Sequence, residues 1–392
     1  MTATFCVTGA RILAGKAFED GKALLVRDGR IEAVLGEASV PDNVRRVPAH
    51  GALLVPGFVD LQVNGGGGVL LNNAPTLEGI AAICAAHAGF GTTSLLPTLI
   101  TDRPEIRDAA VEAGKQALAA GVPGFLGLHL EGPHLSLARK GTHDPALIRP
   151  MTEADLAYLT REARDVGLRL ITIAPESVSE DQVRALVSAG YVVSLGHTDV
   201  GAQTAAAYFA AGATMVTHLF NAMSPLGHRE PGVVGAALDA GGVSCGLIAD
   251  GFHVDPVAMG IALRAKRGPG RIFLVTDAMS TIGSNEQGFE LNGRQVYRRD
   301  GRLTLADGTL AGADIDMLSS VRFVHERLSL PLEDALAMAS LYPAEACGAT
   351  TKGRIAAGCD ADFLLLTPEL SLLSTWIGGR CVFHATTRGL PA

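Results

Sequence analysis

Glu131, His197 and His218 have the residue types of a catalytic zinc set. One carboxylate and two imidazoles bind the ion and leave a fourth position for water. Each closes a short apolar run, in His129-Leu130-Glu131-Gly132-Pro133, Gly196-His197-Thr198 and Thr217-His218-Leu219-Phe220-Asn221. A divalent cation held this way lowers the pKa of bound water towards about 7 and polarises a carbonyl. The donors suit zinc first, and iron, manganese and cobalt as well. Asp277 closes another run, in Thr276-Asp277-Ala278. A carboxylate there is placed to take a proton from water and return it to a leaving amine. The alternative for Asp277 is a turn or helix-capping aspartate. For each of the other three it is an isolated strand-end hydrogen bond.

Further groups carry weaker signals. His143, in Lys140-Gly141-Thr142-His143, and His253, in Ala249-Asp250-Gly251-Phe252-His253, sit in Gly- or Pro-rich loops. Each either orients a substrate or is a surface histidine. Arg229 stands in the loop Ser224-Pro225-Leu226-Gly227-His228-Arg229-Glu230. A guanidinium fork there either binds a phosphate or carboxylate, or is solvated. His87 and His325 fall inside helical stretches and read as structural. His129 lies two residues before Glu131 on the same strand face, and is not taken as a ligand.

These groups need strand ends to hold them. Eight apolar runs are separated by helix-length, Ala-rich stretches: 58–63, 93–99, 125–130, 168–173, 191–195, 214–219, 243–249 and 272–276. Helices are expected at 77–88, 104–120, 153–165, 181–189 and 201–211. Eight strand–helix alternations in about 250 residues match a (β/α)8 barrel, whose chemistry sits at the C-terminal strand ends. A doubly wound sheet competes, but no GxGxxG turn follows the first strand. After Ser320 two more helical stretches run to about Ala346. The head of the chain (5–7, 23–26 and 31–35) and its tail (353–355, 361–366 and 376–377) read as strands of one small β domain.

Composition bounds the partners. The chain has 32 basic and 40 acidic residues among 392, a net charge of −8, which argues against a nucleic-acid surface but not against a small anion. Six cysteines without a CxxC pair read as thiols in a reducing cytosol. No signal peptide and no membrane-spanning run is read, so a cytoplasmic enzyme is expected.

Pro56-Gly57-Phe58-Val59-Asp60 and Gly353-Arg354-Ile355-Ala356-Ala357-Gly358-Cys359-Asp360-Ala361-Asp362-Phe363 resemble the two framing motifs of the amidohydrolase superfamily. Within it, Gln62-Val63-Asn64-Gly65 and the site motifs above make the chain similar to the N-acetylglucosamine-6-phosphate deacetylase family, from about residue 5 to 385. The resemblance implies a TIM-like (β/α)8 barrel (57–350) beside a small β-sandwich from both termini (1–56 and 351–392). It implies hydrolysis of N-acetyl-D-glucosamine 6-phosphate to D-glucosamine 6-phosphate and acetate, in amino-sugar catabolism. Glu131, His197 and His218 would hold one divalent metal, zinc first. Asp277 would be the general base and acid, and His143 would polarise the carbonyl. Thr142, His143, Asn221, Ala222, Arg229, His253, Leu310, Ala311 and Gly312 would contact the sugar phosphate. A homo-oligomer, dimer or tetramer, is implied, with Arg229 supplied by a neighbouring subunit. No nucleic acid or membrane partner is implied.

One departure stands out. Where the superfamily often carries His-x-His for a second metal, this chain has Gln62 and Asn64, and amides are poor ligands beside imidazole. A single-metal site is therefore expected. N-acetylgalactosamine 6-phosphate as substrate, or a non-catalytic sugar-phosphate-binding barrel, are the other readings.

Overall fold

Strands rich in Val, Ile and Leu that are apolar on both faces need cover on both sides, which a parallel sheet wrapped by helices provides. The computed structural model describes residues 4–385. Residues 1–3 and 386–392, the outer ends of the expected flanking domain, lie outside the described residues. All eight expected runs form strands, at Phe58–Val63, Thr92–Ile100, Gly127–Glu131, Leu168–Ile173, Val192–Leu195, Met215–Val216, Ser244–Leu247 and Ile272–Leu274. They pair in chain order as one parallel sheet. The first and eighth strands meet beyond the regular ladder. Asp277 N donates to Gln62 O at 3.0 Å and Asn64 N donates to Ala278 O at 2.8 Å. This closure brings Gln62, Asn64 and Asp277 to one rim.

The helices form where their caps and periodicity place them. Pro104–Ala120 starts on proline, which needs no N–H there, and ends at Gly121 with φ 64°. Thr152 and Ser179 each open a helix with a capping box, to Asp155 and Gln182 respectively. After the barrel come three helices rather than two, Met317–Arg327, Leu332–Ala339 and Leu341–Ala346, because Ser340 breaks the last stretch.

Strands from both termini build the flanking β domain. Phe5–Ala14 is bulged and so pairs in parallel with two different partners, Arg45–Pro48 and then Leu53–Pro56. Phe363–Leu366 joins on the other side of Leu53–Pro56. Residues 353–355, read as a strand, are irregular. Trp376 stacks on Phe363 at 5.2 Å. Lys352 Nζ bridges Asp362 at 2.6 Å and Asp360 at 3.1 Å.

The apolar-run count does not register a four-stranded antiparallel sheet at Gly288–Leu291, Arg294–Arg299, Arg302–Thr304 and Leu310–Ala313. It is inserted after the eighth barrel strand and reaches back over the barrel mouth. Among the described residues no helix is long and apolar enough to cross a membrane.

Gly57, at the entry to the first barrel strand, has no room for a side chain. A Cβ there would lie 2.1 Å from Thr93 Oγ1 and 2.7 Å from Thr93 Cβ. Thr93 is β-branched and buried, so it cannot turn away. Gly57→Ala is expected to destabilise the fold by about 1–3 kcal/mol. Chemical denaturation checks this, and a stability equal to the parent's would contradict it.

Candidate active site

The strand ends converge as the barrel geometry requires. Glu131 ends the third strand, while His197, His218 and Asp277 follow the fifth, sixth and eighth within three residues. His197, His218 and Asp277 have φ of 49°, 29° and 51°, and Phe220 and Ala222 have 78° and 48°. Left-handed backbone at residues other than glycine costs of order 1–3 kcal/mol each and persists only where the surroundings enforce it. The enforcing bonds are visible. Leu219 N donates to Gly246 O at 2.7 Å and Thr198 N donates to Ala222 O at 3.1 Å.

Glu131 Oε1 lies 3.2 Å from His197 Nε2 and 3.2 Å from His218 Nε2, and the two nitrogens are 3.1 Å apart. All three side chains are buried. His197 Nδ1 donates to the Arg139 carbonyl at 2.9 Å, so the neutral ring presents a lone pair at Nε2. His218 Nδ1 has no hydrogen-bond partner among the described residues. Its Nε2 either carries the proton that Glu131 accepts or, with the proton on Nδ1, presents a lone pair to the same centre. A tetrahedral ion with bonds of about 2.0–2.1 Å has ligand–ligand edges of about 3.3 Å, close to the observed triangle. The donor set fits a divalent cation.

His143 competes for a place in this set, since one ligand atom each from Glu131, His143 and His197 lie within 4.8 Å of one another. Its hydrogen bonds argue otherwise. His143 Nδ1 sits 2.7 Å from Thr101 Oγ1 and accepts from Thr101 N at 3.4 Å. The proton is then on Nε2, which makes that atom a donor rather than a ligand. Burial, and then the neighbouring His197, hold this imidazole well below the usual histidine range, so it is neutral.

Two amides organise the carboxylates. Gln62 Nε2 donates to Glu131 at 3.2 Å and to Asp277 Oδ1 at 3.1 Å. Asn64 Nδ2 donates to the same Asp277 oxygen at 2.7 Å. Burial and then the charge of Glu131 push the Asp277 carboxyl up to about 6. Burial also raises Glu131, but the adjacent His197 and His218 outweigh it and hold that carboxyl well below its ordinary value. One carboxylate is therefore kept ionised while its neighbour is poised to exchange a proton.

The pocket above is lined by Thr142, His143, Asn221, Ala222, His253, Leu310 and Gly312, all named from the sequence. His253 Nδ1 donates to Asp250 Oδ2 at 2.6 Å. Two named residues lie elsewhere. Ala311 is fully buried in the inserted sheet's core, because strand alternation turns it away from the face that Leu310 and Gly312 share. Arg229 is exposed and does not line the pocket of its own chain. Its loop is tethered by Glu230, which accepts from Ala202 N and Gly232 N, and the loop tip runs into solvent. The sequence reading also leaves out Ile100, Ile248, Met279 and Thr309 as pocket residues, and Thr101 as the partner of His143. No local pattern marks Thr101.

The sequence profile of the amidohydrolase family matches residues 53–382. An N-acetylgalactosamine-6-phosphate deacetylase of Shewanella sp. (strain ANA-3) is 42% identical over 380 residues, covering 96% of this chain and 95% of that protein. An N-acetylglucosamine-6-phosphate deacetylase of Homo sapiens is 38% identical over 399 residues, covering 96% and 95%. The crystal structure of N-acetylglucosamine-6-phosphate deacetylase from Pasteurella multocida superposes with a TM-score of 0.93 at 35% identity, covering 96% of this chain and 99% of that one.

A carboxylate that must be ionised to accept a proton loses function as pH falls through its pKa. Turnover is expected to fall on the acid side with a midpoint at or below about 6, since a cation on Glu131 moves it lower. Asp277→Asn is expected to cut turnover by about a hundredfold or more and to leave metal content per chain near the parent's. Turnover that survives the substitution removes Asp277 from the proton path.

Proposed function

This chain belongs to the amidohydrolase family, and from that premise we propose that it hydrolyses the acetamide of N-acetyl-D-glucosamine 6-phosphate, giving D-glucosamine 6-phosphate and acetate. The observation that carries the reading is the buried Glu131–His197–His218 triangle beside a carboxylate whose pKa is raised. The full-length similarity to deacetylases of this class supports it. One divalent cation, zinc first, would be held by Glu131, His197 and His218. When bound, it makes water a stronger acid and the acetyl carbonyl a better electrophile.

The chain's own residues do the rest. Asp277, steadied by the Gln62 and Asn64 amides, takes a proton from the attacking water as its oxygen adds to the acetyl carbon. His143 donates from Nε2 to the carbonyl oxygen as negative charge grows there, with Thr101 fixing the tautomer. Asp277 then passes the proton to the amide nitrogen as the C–N bond breaks, leaving amine and acetate. Thr142, Asn221, Ala222, His253, Leu310 and Gly312 would hold the sugar.

Among the described residues, no lysine or arginine lines the pocket. A sugar phosphate needs a countercharge, and we assign it to Arg229 from a second subunit of a dimer or tetramer. A cytoplasmic setting suits the six unpaired thiols. Residues 57–350 are taken as the hydrolase barrel, with 1–56 and 351–392 as its flanking domain. A second reading, the galacto epimer as substrate, is favoured by the name of the 42%-identical Shewanella relative.

Acetate release decides between these. The gluco 6-phosphate is expected to turn over faster than its galacto epimer and at least about tenfold faster, by kcat/KM, than the unphosphorylated sugar. Arg229→Ala is expected to raise KM for the phosphate ester about tenfold with little change in kcat, and to leave the unphosphorylated substrate unaffected. Equal rates on the two epimers would remove the preference. No acetate from either ester would remove the reading.

A further inference from the structure

The three strands that carry Glu131, His197 and His218 are tied together by a buried chain of hydrogen bonds one layer below the site. His129 is two residues before Glu131 and fully buried. Its Nδ1 lies 3.3 Å from Thr98 Oγ1, and its Nε2 lies 2.8 Å from Thr172 Oγ1. Thr172 Oγ1 lies 2.7 Å from Thr217 Oγ1, which lies 2.6 Å from Ser194 Oγ. Thr217 directly precedes His218, and Ser194 stands three residues before His197 on the same strand end. Thr172, on the intervening fourth strand, bears no proposed ligand.

Donor counting gives the chain a direction. Thr98 Oγ1 accepts from Val63 N at 2.9 Å and is 3.2 Å from the Leu96 carbonyl, to which its hydroxyl can donate. His129 then donates from Nδ1 to Thr98 and accepts at Nε2 from Thr172. Thr172 accepts from Thr217, and Thr217 accepts from Ser194. Every hydroxyl is satisfied in this order. The reverse order leaves the Ser194 proton without an acceptor among the described residues. Thr98, Thr172 and Thr217 each stand two residues after an apolar residue of the barrel interior, Leu96, Leu170 and Met215. The layer is polar where apolar side chains would fill the space, and a buried polar chain is stabilising only when complete.

We propose that His129 is a positioning residue. With Thr172, Thr217 and Ser194 it fixes the spacing of the three strand ends, so that Glu131, His197 and His218 are held ready for a divalent cation. The proposal rests on reading those three as the metal set. Groups behind metal ligands commonly change affinity by about 10–100-fold when removed. If the layer were mere filler, an isosteric loss of one hydroxyl would leave affinity alone.

Thr172→Val is the test, because it breaks the chain at its middle without touching a ligand. Zinc affinity is read by competition with a chromogenic chelator, and the fold by circular dichroism and the Tm of metal-free protein. The expected result is a loss of affinity of about tenfold in a folded protein, with Thr172→Ser recovering most of it. A loss of at least about fivefold supports the proposal, and a smaller one overturns it. A serine variant as weak as the valine variant also overturns it. If the valine variant does not fold, Ser194→Ala, at the end of the chain, is judged by the same threshold. Failure of the parent protein to bind zinc would instead overturn the metal reading itself.

Discussion

Glu131 Oε1, His197 Nε2 and His218 Nε2 are held 3.1–3.2 Å apart in a buried place, and the surrounding structure is built to tolerate that crowding. Acceptors at this distance repel unless a proton or a cation sits among them. The barrel supplies the rigidity. Left-handed backbone at His197, His218 and Asp277 stores strain that the adjoining strands hold in place. A proton shared between Glu131 and His218 relieves the repulsion, and a divalent cation would do the same when bound.

The amides at Gln62 and Asn64 change what the neighbouring space can do. Imidazoles there would offer lone pairs to a second ion. Amide N–H groups instead point at Glu131 and at Asp277 and satisfy carboxylate oxygens. The first-to-eighth strand closure sets this up, since Asp277 N and Asn64 N both take part in it. Barrel closure and proton handling thus share the same few residues. Without a cation, Asp277 has a raised pKa beside the ionised Glu131, and each positive charge brought near would lower it.

Much of this was legible in the sequence for a physical reason. Barrel strands buried on both faces read as continuous apolar runs, and a polar residue closing such a run marks a strand end. That logic finds all eight strands, the Glu131–His197–His218 triangle and Asp277. It fails where the pattern is different. The inserted sheet at 288–313 has short strands rich in arginine, such as Arg294–Arg299. Its signal lies in the turns, Asn292-Gly293 and Asp300-Gly301, both with positive φ as tight hairpins require. Thr101 and the hydroxyls beneath the site are ordinary strand residues whose partners lie on other strands, so no local spacing reveals them. Arg229 reads as an anion-binding group, but its place outside its own chain's pocket depends on how the loop is tethered by Glu230.

One carboxylate and two imidazoles can build a single cation centre, and the Gln62 and Asn64 amides leave no ligand set for a second. Calorimetric titration of metal-free protein with zinc tests this most directly. One tight equivalent per chain is expected, abolished by His197→Gln and unchanged in number by Gln62→Ala. Two tight equivalents, or one that survives loss of His197, would contradict it.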